Sequence, residues 1–270
     1  EGMAAPIEAF DSAALGDWGY ADFGAPGTVV SDTVEPILGV REIVFGNGLM
    51  LSMKQTDVQR DRISVALNID GGQMLNTRDH PLATAMTSVL SAGGLGKHSS
   101  DDLQSILAGR SVGLGIRADD ETFAIGATTT PRDLELQLQL LAAAVTDPGY
   151  RPEGEIQYRR SIDNFFASRD ATPASALSNA LGGIVSDGDP RFTVQAKEDY
   201  LALDFAQLRQ DISDRLTNGA MELALVGDFD PEQAIALVAR TLGALPAREA
   251  EFRDYADNRR RMFTADRAPR

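Results

Sequence analysis

The stretch REIVFGNGLMLSMK, residues 41–54, constrains the fold most, because apolar runs lie on both sides of Gly46-Asn47-Gly48. Asn and Gly accept the positive φ that a tight turn requires, so the stretch predicts a β-hairpin and antiparallel pairing. RISVALNI (62–69) follows as a largely buried strand ended by Gly71-Gly72. Two more strands are predicted at VGLGIRA (112–118) and TFAIGATT (122–129), joined by the acidic turn Asp119-Asp120-Glu121, and a last one at MELALVGDF (221–229).

Helices fill the intervals. PLATAMTSVLSA, opening at Pro81, has the small and apolar residues of a buried helix stopped by Gly93-Gly94. Ser99, Ser100 and Asp101 offer N-cap oxygens to a helix over DDLQSILAG. PRDLELQLQLLAAAV (131–145) reads as an amphipathic helix with proline in its first turn, closed by Asp147-Pro148-Gly149. Further helices are predicted over 153–168, 173–184 and 204–216, and Asp230-Pro231 starts the last one, EQAIALVARTLGAL.

This order of elements predicts an α+β fold, a mostly antiparallel mixed sheet covered on one face by helices. Residues 1–36, rich in Gly, Ala, Pro and Asp, read as an extended lead-in anchored by Phe10, Trp18, Tyr20 and Phe23. Residues 37–246 are expected to form a single domain. The polar, arginine-rich residues 247–270, with Arg259, Arg260 and Arg261, read as a solvated linker towards a following unit.

Composition narrows the function. A chain of 270 residues that is 43% hydrophobic and 24% charged is an ordinary globular one. Its formal net charge of −15 repels nucleic acid and anionic lipid, so neither is expected as a partner. No apolar run approaches the length that crosses a bilayer, and residues 1–30 lack a signal-peptide pattern. With no cysteine, disulfides, thiolate metal ligands and cysteine nucleophiles are excluded.

SAGGLGKHSS (91–100) approximates a phosphate-binding loop, and a nucleotide-using enzyme built on loop 93–97 is the third and weakest functional reading. Ser91 takes the first glycine position, His98 takes the magnesium-binding hydroxyl position, and the preceding element reads as a helix instead of a strand. A glycine turn followed by an N-cap accounts for the loop better. His98 reads as a solvated loop histidine, and His80 has a carboxylate neighbour in Asp79 but no nucleophile. The carboxylates at 101–102 and 228–232 sit at helix starts and those at 119–121 in a turn, without calcium-loop spacing.

Laid in order, FGNGLMLSMKQTDVQRDRISVALNIDGGQ, TTTPRDLELQLQLLAAAVTDPGYRPE and ELALVGDFDPEQAIALVARTLGALP resemble one repeat of the pitrilysin/insulinase family of zinc metallopeptidases, which includes the mitochondrial processing peptidases. The lead-in DWGYADFGAPGTVVSD resembles the segment joining the two halves of long bacterial members, which would make this the third of four repeats. Active repeats carry His-x-x-Glu-His on the first helix, two imidazoles that bind zinc and a glutamate that acts as base. The resemblance puts Thr84 and Ser88 at the histidine positions and Thr87 at the base position. The later glutamate ligand falls within 162–165, where Asp163 alone cannot rebuild the site.

The resemblance therefore implies no catalytic residues, no metal and no cofactor in this chain, with zinc held elsewhere in the parent protein. It also points to Gly113, Leu114, Gly115 and Ile116, in the counterpart of the strand that pairs with substrate backbone, although Leu114-Gly115 replaces the family's Asn-Ala. The implied role is a noncatalytic wall of a peptide-enclosing chamber, packed against other repeats of the same chain. A noncatalytic subunit paired with a separate active peptidase chain is the second reading. The compartment is left open, with the periplasm preferred over the cytoplasm.

Overall fold

In the computed structural model, which describes residues 18–260, the hairpin forms where the sequence places it and grows into one sheet. The strands are β1 (Val29–Glu35), β2 (Val40–Phe45), β3 (Met50–Gln55), β4 (Ile63–Asp70), β5 (Ile116–Ala118), β6 (Thr122–Thr129) and β7 (Met221–Gly227). Their order is β1-β2-β3-β7-β4-β6-β5, and β3–β7 is the parallel pair in an otherwise antiparallel sheet. Asn47 does more than turn the hairpin. Its buried amide donates to Leu242 O at 2.9 Å and Leu245 O at 3.1 Å, tying the turn to the end of the domain.

Alternation along the central strands gives the sheet its two faces. Ile63, Val65, Leu67 and Ile69 of β4 are buried while Ser64 and Ala66 are exposed; Met221, Leu223 and Leu225 of β7 match them. Register Val65↔Leu225 and Leu67↔Leu223 sets these side chains together under the helices. The helices are α1 (Ser100–Ile106), α2 (Leu134–Thr146), α3 (Pro152–Ser168), α4 (Pro173–Val185), α5 (Lys197–Leu201), α6 (Phe205–Asn218), α7 (Pro231–Arg240) and α8 (Ala256–Arg259). The α+β architecture predicted from the sequence is the one observed.

Four local readings are corrected. The segment from Pro81 is not an α-helix; it runs through turns into a 3-10 helix, Thr87–Gly93. The first α-helical turn is diverted, because the Thr84 N–H donates to the Asn76 side chain at 3.1 Å and the His80 carbonyl accepts from Thr77 N–H. Ala85, Thr87 and Val89 keep i to i+3 bonds, such as Thr87 N to Thr84 O at 3.1 Å. Second, α2 is not amphipathic. From 134 to 145 every residue but Glu135 is buried, because the helix lies between the sheet and α6 and α7. Each buried leucine there stabilises the fold by about 1.5–3 kcal/mol.

Third, the strand predicted over 112–118 shrinks to Ile116–Ala118. The Gly113 N–H donates to Gln137 Oε1 at 2.7 Å and its carbonyl accepts from Gln137 Nε2 at 2.9 Å, so a buried side chain of α2 takes the ladder bonds. Fourth, residues 247–260 do not leave as a solvated tail. Arg248 N–H donates to Asn47 O at 2.8 Å, Arg253 N–H and the Tyr255 hydroxyl donate to the Asp70 carboxylate, and Arg259 pairs with Glu121. Arg261 lies outside the described residues.

The lead-in also carries structure. Val29–Glu35 pairs with β2, and Gly27 N–H donates to Ala239 O at 2.8 Å. Trp18, Tyr20 and Phe23 pack on the core, with Trp18 Nε1 donating to Gln139 Oε1 at 2.7 Å. Phe10 lies outside the described residues.

Candidate functional site

Thr84, Thr87 and Ser88 sit on the segment that turns from Pro81 into the 3-10 helix. Thr84 and Thr87 are buried and Ser88 is exposed, so the three do not share one open face. The Thr84 hydroxyl donates to Asn76 Oδ1 at 3.1 Å, whereas the Thr87 hydroxyl is buried without a hydrogen-bond partner among the described residues. Asp163 lies exposed on α3 and pairs with Lys197 at 2.6 Å. Among the described residues no three His, Cys, Asp or Glu side chains converge as a metal site would require. These residues do not fit zinc: three hydroxyls and one ion-paired aspartate supply no imidazole and a single, already engaged carboxylate.

The glycine loop that follows has the polarity opposite to a phosphate cradle. Arg151 donates to four of its carbonyls: Gly93 at 2.7 Å, Leu95 at 2.6 Å, His98 at 3.0 Å and Gly96 at 2.8 Å. Every backbone N–H from Gly94 to Ser99 is already used, on Ser91 O, His98 O, Asp147 O, the Tyr20 hydroxyl, Leu95 O and Asp102 Oδ2 in turn. A nucleotide would find carbonyl oxygens around a filled centre and no free donors, so the nucleotide reading falls. Ser99 is the N-cap of α1, in a reciprocal capping box with Asp102. The Ser99 hydroxyl and N–H hold the Asp102 carboxyl below its ordinary pKa.

His98 is not solvated, contrary to the sequence reading. It is buried, stacked on Trp18 with ring centroids 5.4 Å apart, and its Nε2 accepts from Gly19 N–H at 3.1 Å. Beside it the Tyr20 hydroxyl donates to Asp147 Oδ2 at 2.7 Å; burial pushes its pKa up and keeps it a donor. This aromatic knot fastens the lead-in over the glycine loop. His80 finds a partner in Asp211 of α6 at 2.8 Å, not in Asp79.

At the β5 edge, Gly113 is taken by Gln137, Leu114 is half-buried, Gly115 is exposed and Ile116 is buried opposite Ile125. Leu114 and Ile116 line a narrow apolar crevice with Leu90, Leu95 and Pro148. Three strand residues therefore remain to offer a backbone edge, fewer than the sequence reading assumed. Residues that sequence reasoning missed are Arg151, Gln137 and Gln139. The two glutamines did leave a signal, as amides inside an otherwise apolar helical run.

The fold and this site define a class: a single sheet-and-helix repeat in which the segment after Pro81 runs through turns into a 3-10 helix and carries hydroxyls instead of metal ligands. Residues 202–266 match the peptidase M16 inactive domain family. The chloroplastic stromal processing peptidase of Arabidopsis thaliana is 21% identical over 226 residues, 82% of this chain and 18% of that protein. The periplasmic protease PqqL from Escherichia coli superposes with a TM-score of 0.74 at 14% identity, over 94% of this chain and 28% of that one. The peptidase M16 inactive domain from Pseudomonas fluorescens does so at 0.65 and 16% identity, over 80% of this chain and 53% of that one. The chain thus spans about a fifth of the curated relative, a little over a quarter of the Escherichia coli chain and about half of the Pseudomonas one. The resemblance to pitrilysin/insulinase-type (M16) peptidases is upheld, and the domain it resembles is the inactive one.

Proposed function

We propose that this chain is a noncatalytic domain of a zinc-dependent metalloendopeptidase and forms part of the wall of a chamber that encloses peptide substrates. Zinc and the catalytic groups belong to another repeat of the parent protein. The observation that carries this reading is the broken helix with Thr84, Thr87 and Ser88 at the motif positions, whose hydroxyls are buried, bonded or turned outward. In this reading Gly113, Leu114, Gly115 and Ile116 mark a substrate edge reduced to a remnant, the domain of residues 37–246 is extended by the strand Val29–Glu35 and by the attached residues 247–260, and the parent protein works in the periplasm.

Metal analysis and a peptidase assay on the purified chain test it together. The expected result is no stoichiometric zinc and no cleavage of a broad peptide library with or without added zinc. Zinc-dependent cleavage by the chain alone overturns it.

A further inference from the structure

We infer that α4 is the seam on which a companion repeat of the parent polypeptide docks; this rests on the proposed function and deepens it. The helix PASALSNALGGIV (173–185) contains no charged residue, in a chain that is 24% charged. Among the described residues it buries none of its own. Leu177, Leu181, Ile184 and Val185 are 60%, 48%, 52% and 61% exposed, and their i, i+4, i+7, i+8 spacing aligns them in one stripe.

The opposite side of the helix is the one that faces the body. Asn179 Nδ2 donates to Arg169 O at 2.7 Å, and Gly182 and Gly183 lie against Phe192 and Thr193. A helix of this length is marginal by itself in water, and one with its leucines outward and its small residues inward is oriented for a cover outside the described residues. Its ends are well made, with Thr172 and Ser175 forming a reciprocal capping box and Pro173 in the first turn.

Two observations choose the occupant. The matched Pseudomonas inactive-domain chain is covered only to 53%, so a unit of this size is accompanied there by about as much polypeptide again. A second copy of this chain would bring two bodies of net charge −15 together, against their mutual repulsion. A companion unit tethered in the same polypeptide needs only an apolar helical or sheet face to cover an uncharged stripe.

The absence of cysteine makes the test direct. Leu181→Cys, with Gln104→Cys on exposed α1 as control, is labelled with a thiol reagent in the isolated chain and in the parent polypeptide cleared of other cysteines. The expected result is labelling of Leu181→Cys about tenfold or more slower in the parent, with the control unchanged. Equal rates in both contexts overturn the seam. Slowing that appears only when peptide substrate is added, or self-association of the isolated chain abolished by Leu181→Glu, assigns the stripe to another occupant and also overturns it. A chain that holds no zinc and cleaves nothing, yet labels equally in both contexts, keeps the noncatalytic reading and loses this one. Leu181→Glu should leave the melting temperature of the isolated chain unchanged, which separates docking from folding.

Discussion

Thr87 carries a hydroxyl that the fold buries and that finds no partner among the described residues. Thr87→Val keeps the shape and removes an unpaid desolvation, so it should be neutral or stabilise by about 1 kcal/mol in urea denaturation. Thr84→Val removes a hydroxyl bonded to Asn76 and should cost about 1 kcal/mol. A residue kept for metal chemistry would show no such split. Arg151 is the opposite case, one guanidinium serving four carbonyls. Arg151→Lys has too few donors in the wrong geometry and should destabilise by about 2–3 kcal/mol, read from the same denaturation curves. The sequence displayed the hydroxyls of Thr84, Thr87 and Ser88 openly, and their type alone argues against zinc. It could not display Arg151, whose role depends on a loop fifty-odd positions earlier curling around it.

At the scale of elements, what was legible were features with a local cause. Asn47-Gly48 turns the hairpin, Ser99 and Asp230 cap their helices, and alternation marks β4 and β7. What was not legible depended on distant partners: Asn76 diverting the helix after Pro81, Gln137 shortening β5, and β2 recruiting Val29–Glu35 into the sheet. The seating of α3 shows how such contacts leave traces in single residues. A Cβ on the buried Gly154 would meet Phe205 Cζ at 2.5 Å and Val89 O at 2.8 Å, so glycine lets α3 approach both the 3-10 segment and α6. Gly154→Ala should therefore destabilise by about 1–3 kcal/mol despite the better helix propensity of alanine, a sign that thermal or urea unfolding will read directly.

For the molecule as a whole, the end of the described chain is held to the sheet by charge, and that attachment sets a pH dependence. Arg215, buried on α6, donates to Asp70 Oδ2 at 2.9 Å and to both oxygens of Glu249, which Arg253 also grips. Hydrogen bonds from Arg215, then from Arg253, pull the Glu249 pKa down to about 2. Arg191 does the same to Asp189, also to about 2. Both groups have ordinary values near 4, so between about pH 5 and pH 2 the unfolded chain binds protons that the folded chain refuses. A depressed folded value means stability that is complete above the unfolded pKa and is lost as pH falls through the folded one. The urea midpoint should hold steady from neutrality to about pH 5 and then fall steeply towards pH 2. Glu249→Gln should start lower at neutral pH, because Arg215 loses a charged partner, and should fall less steeply below pH 5. A wild-type midpoint that stays flat down to pH 2.5, about where both carboxylates begin to protonate in the folded chain, would show that these arginines do not fasten the segment after Pro246 to the sheet.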